Sequence, residues 1–421
     1  MQNAISSRLR DGRTWADIEA DMTARGVNDM HWTSNRNFAA SYYAGDDVTF
    51  VAREAFIRHM GDNVTHRFGL HPSIQLYLAD VLDFVQDLLN APENATGTVT
   101  TGGSESLSLA MLSAREWARE HKPDAAAPEI IIMHSTYPVF NKVAHMMGLK
   151  VVQIPHSVDF RADVEAVRAA VNENTIMIVG SAPPFPYGLV DPLPQLSEIA
   201  LANQIWLHSD ACLGGFILPF VEALGRHVPT FDFRLPGLKS MSIDFHKYGY
   251  SFRGCSAVLL RDRELAKYHT FSSGTWPAGD YRSDTLAGSR SAGPVASAWA
   301  AINYLGFNGY RDRIEKILAV TDHLIEGING LESFAVHGEP EGVYFSFGSN
   351  EFDMIAVGDA LMKRGWMMNL QTQPVSLQLQ VGYQHTLEVA NEFLADLSAI
   401  SDHARNGELK RADKNGVYGI Y

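Results

Sequence analysis

Cysteine is nearly absent: Cys212 and Cys255 are the only two in 421 residues. Two thiols without paired metal-ligand spacing make neither a disulfide framework nor a zinc site, so a reducing cytoplasm fits and no metal is expected. Long apolar runs are missing as well. The most apolar stretch, Ile205 to Leu218, contains His208 and Asp210 and falls short of the ~18 uninterrupted apolar residues of a membrane span. Basic charge is scarce, with 34 Lys plus Arg against 48 Asp plus Glu and a net charge of -14. That field repels polyanions, and a phosphate backbone is gripped by clustered bases, so nucleic acid is not expected as a partner. The opening residues MQNAISSRLRDGRTW hold no apolar segment, and no secretory leader is expected.

What is present is enough apolar residue, 46% of the chain, to bury a large core. Short apolar runs recur through the middle at Ile130–Met133, Val151–Ile154, Ile176–Gly180, Ile205–His208, Met241–Ile243 and Ser256–Leu260, with helical patterns between several of them. Runs too apolar for one wet face, alternating with helices, predict an α/β fold with a mostly parallel sheet covered on both sides. Leu107, Ala110, Met111, Ala114 and Trp117 fall on one face of a helix that Thr101-Gly102-Gly103-Ser104 opens as a turn and cap. Beyond about residue 310 the pattern changes to a long amphipathic helix over 312–328 and alternating segments at Val343–Phe347 and Val375–Val381. The expected organisation is an N-terminal arm (1–60), a large domain (61–310) and a small C-terminal α+β domain (311–421).

Three segments bear on chemistry. In Thr100-Thr101-Gly102-Gly103-Ser104-Glu105-Ser106, glycines and hydroxyls stand where a helix begins, and free N–H groups there can hold a phosphate. A plain glycine turn is the simpler alternative. Asp210, in His208-Ser209-Asp210-Ala211-Cys212, follows an apolar run at the carboxyl end of a strand, the edge where ligands sit in open α/β sheets. A buried acid there needs a cationic partner, such as a protonated pyridine nitrogen, or else it caps a helix. Lys247, in Asp244-Phe245-His246-Lys247-Tyr248-Gly249, lies among apolar neighbours. A desolvated lysine loses proton affinity and becomes an amine nucleophile fit for a Schiff base, although most lysines near strands only snorkel to the surface. Phosphate turn, then Asp, then Lys is the order that pyridoxal phosphate needs.

From about Tyr43 to Tyr310 the chain resembles the sphingosine-1-phosphate lyase branch of the fold type I, pyridoxal-phosphate-dependent decarboxylase-like superfamily. The matching segments are TGGSES (101–106), FNK (140–142), GSAPPFPYG (180–188), HSDACLGGF (208–216), DFHKYGYSFRGCS (244–256) and WPAGDYRSDTLAGSRSAG (276–293). The resemblance implies a seven-stranded-type main sheet and pyridoxal 5'-phosphate as cofactor. It implies that Lys247 forms the Schiff base, that Asp210 keeps the pyridine nitrogen protonated, and that Gly103, Ser104 and His246 surround the cofactor phosphate. Cys212 would lie under one face of the ring and Tyr137 over the other, where the family usually has a histidine. Tyr43, His71 and Arg253 would bind substrate phosphate, and Arg290 would sit in a loop reaching the neighbouring active site of a homodimer. Pro184 and Ala44 are further departures, standing where relatives have Asn and often His.

The implied reaction is carbon–carbon cleavage of a β-hydroxy amine, phosphorylated or not, to an aldehyde and an amine. Decarboxylation of an amino acid uses the same electron sink and stays open, as do aminotransfer and a non-catalytic cofactor-binding role. The expected partners are a small amine or amino-acid substrate and a second copy of the chain.

Overall fold

The computed structural model describes residues 12–65, 70–407 and 409. Of the opening segment MQNAISSRLRDGRTW, in which no leader is expected, residues 1–11 lie outside these, as does Gly69 before Leu70 and His71. Strands β1 (Thr96–Thr100), β2 (Glu129–Met133), β3 (Lys150–Ile154), β4 (Thr175–Ser181), β5 (Trp206–Asp210), β6 (Leu238–Asp244) and β7 (Ser256–Leu260) form one sheet in the order β1-β7-β6-β5-β4-β2-β3. Each of the six apolar runs read from the sequence is a strand of it. β2, β4, β5 and β6 are completely buried apart from Lys239, because helices cover both faces and water reaches neither side. β7 runs antiparallel to both β6 and β1, and the remaining neighbours pair in parallel. The carboxyl ends of β1, β2, β4, β5 and β6 therefore share one edge.

The N-terminal arm carries α1 (Trp15–Arg25) and α2 (Asp46–His59), and the first core helix is α3 (Pro72–Leu88). Helix α4 (Gly103–His121) follows β1 and lies across β1, β6 and β7; α5 (Val139–Met147) follows β2. No side chain caps α4 at Gly102. Instead Glu105 reaches back to the Thr101 N–H and hydroxyl, both at 2.7 Å.

The small lobe is a four-stranded antiparallel sheet, β10 (Ala335–Val336), β11 (Tyr344–Gly348), β13 (Val375–Gln380) and β12 (Asn369–Thr372), with helices Met354–Lys363 and Leu387–Arg405 packed together. A long helix, Gly293–Asn329, runs straight past residue 310 and links the lobes, bent at Gly306 with φ 56°. The arm is strapped to the small lobe: Phe38 donates to Met367 O at 2.7 Å and accepts from Gln380 N at 2.9 Å. Phe38 also stacks on His385 at 4.0 Å. This strap delivers Tyr42 and Tyr43 to the edge where the strands end. Between β7 and the long helix, β8 (Phe271–Ser273) and β9 (Tyr281–Ser283) form an exposed hairpin.

Candidate active site

Strand geometry assembles the centre of the site. Side chains two apart on a strand share a face, so Trp206, His208 and Asp210 of β5 point the same way. In register beside them, Ser240 pairs with His208 and Ser242 with Asp210, and Asp244 continues that face of β6. The turn before α4 closes over this row. A Cβ added to Gly103 would stand 3.0 and 3.1 Å from the Asp244 carboxylate oxygens and 3.1 Å from Cys212 Sγ, so any larger residue would press on these side chains.

Asp210 is 8% exposed. The hydrogen bonds resolved on it, from Ser242 Oγ at 3.0 Å and Cys212 N at 3.1 Å, both end on Oδ1. Burial pushes its carboxyl up, opposed by the Lys247 charge and by donors at Cys212. Cys212 Sγ donates to Ser242 Oγ at 3.2 Å, which holds the sulfur between the turn and the strands.

Lys247 reverses the expectation drawn from its apolar neighbours. Burial would lower its proton affinity, but Asp244 Oδ2 lies 2.8 Å from Nζ and its charge outweighs desolvation, so Lys247 is held above the usual lysine value. Asp244 is 2% exposed, and its Oδ1 has no hydrogen-bond partner. Burial raises this carboxyl, yet Lys247 and His246 together bring it below the usual value. Asp244 had no role in the sequence reading, although its spacing of three from Lys247 was in plain view.

His246 donates from Nδ1 to Cys255 O at 2.8 Å, leaving Nε2 3.7 Å from Asp244 and Cε1 3.7 Å from the place a Gly102 Cβ would take. Gly102, Gly103, Ser104 and His246 thus share one corner at the start of α4. Glu105, also without a role before, binds this corner to the loop ahead of the long helix by accepting from Ala287 N at 2.7 Å. Burial raises the Glu105 carboxyl, but the N–H groups of Thr101 and Ala287, the Thr101 hydroxyl and Arg290 together bring it below the usual value.

The residues expected to meet substrate fall into separate groups. Arg253 donates to Ala40 O at 3.1 Å and stacks on Tyr42 at 5.6 Å. Both line a cavity of about 230 Å³ that also includes Trp32, Ala44, His246 and Phe252. Tyr42, rather than Tyr43, lies against the catalytic centre: burial raises its phenol and the Lys247 charge opposes that. Tyr43 turns to Asp46 Oδ1 at 2.8 Å, and burial with that carboxylate pushes its phenol up to about 12. His71 lies 3.5 Å from Asp62, which also holds His59 at 2.8 Å. Arg290 donates to Val99 O at 3.0 Å, and burial lowers its proton affinity against the pull of Glu105. Tyr137 stands past the end of β2 on the same edge and is 48% exposed. No group of three or more His, Cys, Asp or Glu among the described residues could hold a metal, and no described helix is long and apolar enough to cross a membrane.

These residues fit pyridoxal phosphate. The glycine corner suits a phosphate, Asp210 presents an acceptor for a ring N–H, and Lys247 is an amine near enough for its charge to act on Asp210, with the unpartnered Asp244 Oδ1 beside it. A half-buried Lys and a buried Asp at the strand ends of a covered parallel sheet, under a glycine turn, define a pyridoxal-phosphate-dependent enzyme of the α/β class.

Residues 8–349 match the pyridoxal-dependent decarboxylase conserved domain. A sphingosine-1-phosphate lyase of rice is 36% identical over 90% of this chain and 71% of its own. One from Arabidopsis thaliana is 39% identical over 77% of this chain, which spans only 60% of that relative's length. The structure of the Burkholderia pseudomallei sphingosine-1-phosphate lyase superposes with a TM-score of 0.91 at 34% identity, covering 96% of this chain and 94% of that one. The chain belongs to the sphingosine-1-phosphate lyase branch of the pyridoxal-dependent decarboxylase family.

Proposed function

We propose that this chain is a pyridoxal-phosphate-dependent carbon–carbon lyase acting on a β-hydroxy amine that carries an anionic group such as a phosphate. One observation carries the reading: buried Asp210 and half-buried Lys247 lie next to a cavity whose wall includes His246 and Tyr42, is apolar along Trp32, Ala44 and Phe252, and holds a guanidinium, Arg253. Relatives named for sphingosine-1-phosphate support the choice of a phosphorylated amine.

When bound, pyridoxal phosphate supplies an electron sink for the bond broken next to the substrate nitrogen. The chain's part is to orient and to handle protons. Asp210 would hold a protonated pyridine nitrogen, with its Oδ1 fixed by Ser242 and the Cys212 N–H. The N–H groups of Gly103 and Ser104, with His246, would hold the cofactor phosphate at the positive end of α4. Lys247 would provide the amine that holds the cofactor, and whenever that amine is free the Asp244 charge would favour its protonated form. Arg253 grips the distal anion in a fork that a lysine does not reproduce. Tyr137 is the aromatic group offered for the outer face of the ring.

Release of aldehyde and carbon dioxide over a panel of phosphorylated β-hydroxy amines and acidic amino acids tests the reaction. Aldehyde from the amines supports the lyase; carbon dioxide without aldehyde replaces it with a decarboxylase. A cytoplasmic homodimer is part of the same proposal. Support comes from Trp15 and Met22 on α1, which has no buried residue, and from Phe271 and Tyr281 on the β8–β9 hairpin, all exposed. Mixing Lys247→Ala chains with Arg290→Ala chains is expected to restore part of the activity each lacks alone; no recovery means that Arg290 serves only its own chain.

A further inference from the structure

Behind Asp210 runs a row of polar groups shut away from solvent. Trp206 Nε1 donates to Ser240 Oγ at 2.7 Å, and Ser240 Oγ lies 2.8 Å from His208 Nδ1. His208 Nε2 lies 3.4 Å from Ser242 Oγ, which donates to Asp210 Oδ1 at 3.0 Å. Trp206, His208, Ser240 and Ser242 are all 0% exposed, inside a face otherwise filled by Ile130, Ile132, Val179 and Val258. Polar groups so placed destabilise the fold unless each is paired.

The direction of the row is set from its two ends. An indole N–H only donates, and an ionised carboxylate only accepts. Ser242 must spend its single proton on Asp210, so its oxygen can only receive, from His208 Nε2 and from Cys212 Sγ. His208 must then carry its proton on Nε2 and accept from Ser240 at Nδ1. Burial keeps the ring neutral, pushing its pKa down to about 3, and Phe140 packs beside it at 6.0 Å. Every donor in the row points toward Asp210.

We propose that His208 is a positioning residue: as the neutral Nε2–H tautomer it locks the Ser242 hydroxyl onto Asp210 Oδ1 and so holds the carboxylate as the acceptor that a pyridine N–H requires. The proposal rests on the cofactor reading given above and adds a residue that does not meet the cofactor. Without the row, the Asp210 oxygen loses a donor and becomes more basic. The proton shared with the pyridine nitrogen then shifts toward the carboxylate, which weakens the electron sink.

The test uses cofactor labelled with ¹⁵N in its ring and the full chain. Wild type is expected to show a protonated ring nitrogen. His208→Phe should move that signal toward the unprotonated position and weaken cofactor binding about tenfold, the worth of one hydrogen bond to a charged group. His208→Gln, whose amide can place an N–H where Nε2 stood, should restore both. Ser242→Ala should reproduce the His208→Phe signal, and the two changes together should add little, which keeps the test valid if Phe at 208 folds poorly. An unmoved ring-nitrogen signal in both His208→Phe and Ser242→Ala overturns the proposal. So does an Nδ1–H tautomer of His208 in ¹⁵N spectra of the cofactor-free chain. A wild type that shows no bound-cofactor signal overturns the cofactor reading instead, and the tautomer measurement tells the two failures apart.

Discussion

The two halves of the candidate site are built differently. On the cofactor side, Asp210, Ser242, Cys212 and Asp244, all buried, and half-buried Lys247 come from neighbouring strands and the turns after them and are linked by short polar contacts. On the substrate side, Tyr43 and Arg253 hold to the arm, while His71 and Arg290 hold to the ends of α2 and β1. Strands impose position through their ladder; loops and arms need further partners to define theirs. The groups proposed for chemistry are therefore held together, whereas those proposed for substrate recognition stand apart.

The largest expected effect tests the cofactor half. Lys247→Ala should remove the visible absorbance of the bound cofactor and all measurable turnover; a retained spectrum would mean that the cofactor is held elsewhere. Next comes the glycine corner. Gly103→Ala sets a methyl 3.0 Å from Asp244 and 3.1 Å from Cys212 Sγ. Overpacking of about 1–3 kcal/mol should reach the bound state and weaken cofactor affinity by about ten- to a hundredfold in a fluorescence titration. An unchanged affinity would show that this half is looser than its packing implies.

On the substrate half, Arg253→Ala should raise KM about tenfold with little change in kcat, since a charged hydrogen bond formed equally throughout the reaction is lost. Arg253→Lys should recover only part of it. A fall in kcat instead would move Arg253 into the chemical step and blur the contrast between the halves. The smallest effect is one of stability. His208 has a folded value of about 3 against the usual 6.5, so the unfolded chain binds more protons as pH falls below 6.5. The stability present above that value is lost progressively toward pH 3, at up to about 1.4 kcal/mol per pH unit. His208→Gln should flatten this acid limb by one proton in urea titrations across pH; an unchanged limb would place the acid sensitivity elsewhere.

The same division governs what could be read from sequence. β2 and β4 were legible because both of their faces are largely apolar, whereas β1, Thr96-Gly97-Thr98-Val99-Thr100, has no apolar run to announce it. It is held by its antiparallel pairing with β7, which only the fold brings beside it. In the arm, α1 forms under a Thr14 cap, and α2, which has no side-chain cap, packs on the long helix. Asp210 and Lys247 could be found from their places after strands. The ionisation of Lys247 could not, because desolvation was visible as apolar neighbours while Asp244 was not weighed against it. Tyr42 and Tyr43 are adjacent, and only the arm's attachment through Phe38 to the small lobe determines which of them turns toward Lys247. His208 was legible in principle, since a spacing of two puts it on the face of Asp210.

The long helix has a consequence for how the molecule comes apart. Residues 310 and 311 lie within helix, four residues past the break at Gly306, and the element as a whole contacts α2, α3 and the C-terminal helix Leu387–Arg405. There is no linker at that point for a protease to cut. The small lobe cannot melt without pulling an end off a helix that the large lobe still holds, so calorimetry should record a single endotherm where the count of lobes suggests two.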